Sequence, residues 1–194
     1  MATQGIDLPA LQRRDPEAFR QLVETYSPRV YNLALKMSGN PDLAEDILQE
    51  TFVNAYRAID RFEGRAHVST WLYRIAHNAV LMRLRKEKRA PQVQSLDDEV
   101  DPETLPATLA TGTQADTPER HLLQAELFQK MDQALANLSE ALRSVFVLRD
   151  VQGLSTAETA EVLGLSQTAV KSRLHRARMA LREQLAPYLQ GVEI

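Results

Sequence analysis

Residues Leu154 to Arg178 read LSTAETAEVLGLSQTAVKSRLHRAR, and this stretch decides how the chain is built. Ser155 and Glu158 stand at capping-box spacing, the serine oxygen taking an orphan N–H three residues on and the carboxylate returning to the serine's own N–H. A helix therefore starts at about Thr156. Gly164 supplies the left-handed backbone needed just past a helix end, and Ser166 caps a second helix. Ala160 is small enough for close helix approach, and Leu163, Leu165, Val170 and Leu174 form an apolar seam between the two helices. Lys171, Ser172, Arg173, His175, Arg176 and Arg178 are left pointing outward. Two short helices, a tight turn and a cation-studded second helix are the pattern of a DNA-reading helix-turn-helix. Arginine and lysine pair with guanine edges and with phosphates, and a helix of this size fits the major groove.

The formal charge of −3 over 194 residues argues against nucleic acid until the distribution is read. Arg74, Arg83, Arg85, Lys86, Lys88 and Arg89 face the single acid Glu87 across residues 74–89, whereas residues 91–118 hold six acids and no lysine or arginine. Charge is segregated by segment. An apolar content of 44% supports compact cores, and the absence of cysteine excludes disulfides and thiolate metal sites. No apolar run approaches the ~18 residues of a membrane span and no signal-peptide pattern is present, so a cytoplasmic protein without membrane insertion is expected.

Strand periodicity is missing throughout, and an all-α fold of two small helical domains joined by a flexible linker follows. Residues 1–90 form the first domain. Asp15-Pro16 reads as cap and first helical residue, Pro28 interrupts the run near Ser27, and Gly39-Asn40-Pro41 closes one helix and opens the next, so three helices are expected by Ile59. Phe62 to Val68 reads as a loop, with Ser69 or Thr70 capping a long helix from Trp71 to about Arg89. Residues 91–118 carry four prolines and no aromatic residue and read as a linker, whose 28 residues reach up to ~90 Å when extended. Residues 119–194 form the second domain. Leu123, Leu127, Met131, Leu135 and Leu138 recur at helical spacing, Ser139 caps a helix that Gly153 stops, the helix-turn-helix follows, and Pro187 marks the end of the last helix.

Two further constellations carry chemistry. In PDLAEDILQETFVNAYRAIDRF, Ala44, Ile47, Thr51, Ala55 and Ile59 make an inward stripe, while Asp46, Gln49 and Glu50 share another face, either as solvated surface or as a docking patch. Trp71 opens a helix that also carries Arg74, His77, Asn78 and the terminal cations. Aromatic rings stack on unpaired bases while amides and cations bind base edges and backbone, so this helix and the preceding loop have the equipment to hold a separated strand. Core packing is the alternative for Trp71.

The strings DLAEDILQETFVNAYRAIDRF, STWLYRIAHNAVL and LGLSQTAVKSRLHRAR, in this order, resemble the bacterial RNA polymerase sigma factors of the extracytoplasmic-function (ECF) class, within the sigma-70 family. The likeness covers Asp15 to Arg89 as region 2 and about Leu123 to Leu185 as region 4, with the linker in place of region 3. It implies that Asp46, Gln49, Glu50 and Asn54 dock on the clamp helices of the polymerase beta-prime subunit and that region 4 meets the beta flap. It implies that Gly64, Arg65, His67, Ser69, Thr70 and Trp71, with Arg74, His77 and Asn78 on the adjoining helix, hold the minus-ten element. Thr168 to Arg178 then reads the minus-thirty-five element. An anti-sigma factor is implied as a further partner. No cofactor and no metal are implied.

The pattern also departs from the primary sigma factors. Trp71 is followed by Leu72 instead of a second tryptophan, which implies weaker melting and a stricter promoter match. Met82, a position often acidic in relatives, leaves the local surface more positive. An enzyme is disfavoured by dispersed histidines, the absence of a Glu-x-x-His pair and the lack of a phosphate-cradling glycine loop. A stand-alone helix-turn-helix transcription regulator is the main competitor, since response-regulator output domains share the L-S-x-x-E pattern; a protein adaptor is the third option.

Overall fold

The computed structural model describes residues 6–64, 66–89 and 118–189. Among the described residues eight α-helices run α1 (Leu8–Gln12), α2 (Pro16–Ser38), α3 (Pro41–Ala58), α4 (Val68–Arg89), α5 (Pro118–Ala136), α6 (Glu140–Phe146), α7 (Thr156–Leu163) and α8 (Gln167–Leu189), and no strand occurs. A 3-10 turn at Ile59–Arg61 closes α3, and a π-helical turn at Val147–Val151 extends α6. The expected linker lies outside the described residues except for Pro118, which opens α5.

Helices α2, α3 and α4 pack as a three-helix block, with α1 laid across one end. The α3 stripe was legible: Ala44, Ile47, Thr51, Ala55 and Ile59 are all fully buried. Thr51 settles its hydroxyl by donating to the Ile47 carbonyl at 2.7 Å. Asp15 caps α2 through the Glu17 and Ala18 amides, and Asn40 caps α3 through Leu43. Between them Gly39 takes φ +71°, the conformation that lets the chain turn without Cβ strain.

Pro28 does not end a helix. It sits inside a continuous α2, so two long helices precede Ile59 instead of three. A proline in a helix interior costs about 3 kcal/mol through its missing donor and ring clash. Leu22, Tyr26, Val30, Leu33, Ala34 and Met37 are buried along one stripe through the site, and burial contributes roughly 1.5–3 kcal/mol per large side chain. Tertiary packing wins. Helix α1 was not foreseen; it is a single capped turn, begun by Asp7 Oδ1 accepting from the Ala10 amide, that buries Leu11.

In the second block α6, α7 and α8 enclose Val145, Ala160, Val170 and Leu174, while α5 and α8 share Leu135, Leu138, Ala177, Leu181 and Leu185. Leu127 departs from the expected stripe and is exposed, and the Leu123 side chain lies outside the described residues. The capping box at Ser155 and Glu158 is present in both directions, and Gly164 takes φ +64°. Ser166 accepts from the Ala169 amide at 3.2 Å and so caps α8. Ser139 occupies the cap position of α6 but makes no side-chain cap bond, and Pro187 lies within α8 near its end.

The two blocks are docked. Val147, Leu148, Leu154 and Val162 of the second join a single apolar cluster with the core of the first. Polar bonds surround that seam: Lys36 to Asp132, the Arg143 guanidinium to the Met37 carbonyl at 2.8 Å, and His77 Nε2 to Ser144 Oγ at 2.9 Å.

Candidate nucleic-acid and polymerase interface

The second helix of the helix-turn-helix has the inward and outward faces its periodicity implies. Val170, Leu174 and Ala177 face inward, while Thr168, Lys171, Ser172, His175 and Arg176 are exposed on the other side and Arg173 is half-buried. The capping box and the Gly164 turn fix where α8 begins, so these side chains emerge along one face of the helix. Arg178 differs from the expectation of a free cation. Its guanidinium forms a fork with Asp150, donating from Nε at 2.8 Å and from Nη2 at 2.7 Å, which raises its pKa. The Arg149 guanidinium in turn donates to the Leu154 carbonyl, tying the π-helical turn to the start of the motif.

In the first block, α4 begins at Val68, earlier than expected, with the Trp71 amide bonded to the His67 carbonyl at 3.0 Å. Ser69 and Thr70 therefore lie in the first helical turn instead of capping it. The cause is Val68, which is only 2% exposed: burying it draws the chain into the helix before the serine. Thr70 is buried at 2% exposure, with no hydrogen-bond partner for its Oγ1. Trp71 is half-buried against Phe62, with ring centroids 4.9 Å apart. This tryptophan thus packs against a neighbouring ring while keeping an accessible surface.

Gly64 takes φ +71°, a backbone conformation that favours glycine, and a Cβ there would lie 3.0 Å from Leu8 Cδ2. His67 and Asn78 are exposed; Arg65 lies outside the described residues. A cavity of about 300 Å³ opens beside the loop, lined by Phe62, Gly64, His67 and Thr70 from the first block and by Glu158 and Glu161 from α7. Arg74 is exposed but engaged, donating to the Glu161 carbonyl with the Glu161 carboxylate 3.8 Å away.

His77 overturns its expected place on the strand-holding face. It is 6% exposed and turned toward α6. The Ser144 hydroxyl donates to the Glu140 carbonyl at 2.8 Å, so its oxygen is left to accept from His77 Nε2–H. Burial, helped by the Arg85 charge, lowers the imidazole to about 4 and keeps it neutral at pH 7.

Asp46, Gln49, Glu50 and Asn54 share one face of α3, with Asp46 and Gln49 exposed and the other two half-buried. One cation organises the patch: Arg83 of α4 lies 3.6 Å from Asp46 and 3.1 Å from Glu50. Sequence reading missed this clamp because nothing in a linear pattern pairs residues more than thirty positions apart across two helices. Exposed Val53 and Tyr56 add apolar surface to the same helix. The missed cross-block residues, Lys36, Asp132, Ser144, Gln152 and Glu161, each look like ordinary surface in the sequence. Among the described residues, no helix is long and apolar enough to cross a membrane.

Comparison with known proteins accounts for both blocks. Residues 22–90 match the family model for sigma-70 region 2, and residues 128–181 match that for sigma-70 region 4. The chain is 40% identical over 177 residues to the ECF RNA polymerase sigma factor SigW of Bacillus subtilis, covering 90% of this chain and 92% of that protein. Among solved structures it is similar to CnrH in complex with the cytosolic domain of CnrY, with a TM-score of 0.66, 26% identity and coverage of 93% of this chain and 95% of that one. It is also similar to the sigma factor RpoE in complex with the anti-sigma factor NepR from Bartonella quintana, with a TM-score of 0.65, 27% identity and coverage of 87% and 96%.

Proposed function

Because the chain belongs to the ECF sigma factors of the sigma-70 family, we propose that it binds core RNA polymerase, directs it to two-part promoters and assists local strand opening. It acts in the cytoplasm as a non-catalytic subunit. The single observation that carries this reading is the pairing of an outward cationic helix, Lys171 to Arg176, with a first helical block of region 2 type. A stand-alone regulator needs only the cationic helix; the first block adds an acidic docking face and a loop equipped to hold single-stranded DNA.

In this assignment Thr168, Lys171, Ser172, Arg173, His175 and Arg176 read the minus-thirty-five element in the major groove. Bidentate arginine contacts to guanine supply discrimination of about 1–3 kcal/mol each. Arg178 is held in a fork by Asp150 and makes no direct base contact. His67, Ser69, Trp71, Arg74 and Asn78, with Gly64 and Arg65 of the loop, hold the minus-ten strand; Thr70 lends its buried hydroxyl to the cavity floor. His77 supports this helix from behind. Asp46, Gln49, Glu50 and Asn54 dock on the beta-prime clamp helices, region 4 engages the beta flap, and an anti-sigma factor competes for these faces, in keeping with the anti-sigma factor bound to the RpoE relative.

Run-off transcription with purified core polymerase on a randomised promoter library tests the reading. Enrichment of a two-block motif is expected only when the chain is added. Transcription no more selective than that of core alone defeats it.

A further inference from the structure

Helix α4 carries one exposed arc, and an uncharged thioether stands among its cations. Trp71, Asn78 and Met82 follow one another at spacings of seven and four, so they line one face of the helix. Arg74, Arg85 and Lys86 flank that line, and all three are exposed, as is Asn78. Met82 is 67% exposed, more than any other large hydrophobic side chain among the described residues. A lone apolar side chain on a surface is ordinary. This one interrupts a face otherwise equipped for a polyanion. Arg83, on another side of the same helix, is committed to Asp46 and Glu50, so the charges nearest to Met82 on its own arc are those of Arg85 and Lys86.

The chemistry of methionine narrows what it can touch. A thioether donates no hydrogen bond and accepts only weakly, so it cannot read the donors and acceptors of a base edge. Its unbranched, polarizable side chain adapts instead to apolar surface. Of the groups that base pairs present in the major groove, the C5-methyl of thymine is the apolar one. Reach sets the place. Met82 lies eleven residues beyond Trp71, about 16 Å along the axis at ~1.5 Å per residue, which matches roughly five base steps at ~3.4 Å each.

We propose that Met82 is a specificity-determining residue: it packs on the C5-methyl of one thymine within about five base steps of the base held at Trp71, while Arg85 and Lys86 take the adjoining phosphates. The inference rests on the promoter-directing reading and names one base that the first block selects. Burying one methyl-sized group against the thioether gives a preference of about fourfold for thymine over the same base without its methyl.

Deoxyuridine is that base. It keeps every hydrogen-bonding group of thymine and lacks only the methyl, so it reports this contact by itself. A promoter enriched from the randomised library is rebuilt with each thymine in and beside the minus-ten element replaced in turn by deoxyuridine, on either strand, and run-off transcription is measured with limiting holoenzyme. With the unaltered chain, one replacement should lower transcript about fourfold. Met82→Ala removes the thioether from an exposed helical position without loss of helix propensity, and it should abolish the response at that one thymine while leaving the others. Met82→Leu keeps apolar bulk and should retain the response. The proposal is overturned when no replacement changes transcript, when the enriched motif has no thymine in this window, or when Met82→Ala responds as the unaltered chain does. An equal fall for Met82→Ala on thymine and deoxyuridine templates also overturns it, since that marks a wedge between base steps instead of a methyl reader. Absence of promoter-selective transcript from the unaltered chain fails the promoter-directing reading itself, and it is told apart because it precedes any base replacement.

Discussion

Acidification should loosen the docked blocks through one residue, His77. In the closed form its imidazole is neutral, donates Nε2–H to Ser144 and sits at about 4, lowered first by burial and then by the Arg85 charge. Across the seam α6 brings Ser144 to the ring, and the charge that acts on it from its own helix is Arg85. When α6 departs, the ring returns to water and to an ordinary value of about 6.5. The sign is fixed by that order. A depressed histidine contributes closed-state stability that is intact above about 6.5 and is lost as pH falls toward about 4. The full span corresponds to a few kcal/mol, and at pH ~5.5 the undocked form gains on the order of tenfold. Donor and acceptor dyes on Gln21→Cys and Arg182→Cys, both exposed positions, would report the separation of the blocks across a pH titration. His77→Gln keeps an N–H donor for Ser144 but cannot titrate, so its transfer efficiency should lose this component between pH ~7.5 and ~5.5. An identical titration in the glutamine variant refutes the reasoning.

Other substitutions separate the parts. Arg173→Ala and Arg176→Ala should each weaken minus-thirty-five binding by ~1–3 kcal/mol, read by footprinting, with an unchanged footprint in both counting against the recognition-helix assignment. Replacing Asp46 and Glu50 by lysine places repelling charge beside Arg83 and should abolish co-purification with core polymerase while the far-ultraviolet circular dichroism stays helical. Leu148→Ala opens a cavity where the two blocks share a core and should cost about 2–5 kcal/mol in urea unfolding; a loss under ~1 kcal/mol would mean that the seam contributes little. Ser155→Ala removes one half of the capping box of α7 and should cost about 1 kcal/mol, with thermal unfolding as the measure.

Local chemistry was the legible part of this chain. The capping box at Ser155, the glycine stops at Gly39 and Gly164 and the inward stripe of α3 all follow from bonds or periods contained within a few residues, and each stands where the sequence puts it. Pro28 misled because a local penalty was outweighed by a stripe of buried side chains that only the folded block assembles. The start of α4 shifted for the same reason, through burial of Val68. His77 is the sharper case. Its helix face and its charged neighbours suit nucleic acid, yet its partner Ser144 is 67 residues away, and no spacing rule reaches across that separation. Side chains that bridge the blocks carry no periodic signature, so the exposed reader was readable while the seam was not.

The fork between Asp150 and Arg178 has a consequence for how such a reader diverges. Two guanidinium N–H groups at the middle of the recognition helix are spent on a carboxylate that is itself only 22% exposed, so they add nothing to non-specific attraction for the duplex. Losing Asp150 would free that cation and raise affinity for every sequence alike, eroding discrimination without altering one base-contacting residue. On the proposed assignment, a carboxylate outside the base-contacting set would thereby restrain promiscuity, and drift at that one position would offer a route between a narrow regulon and a broad one.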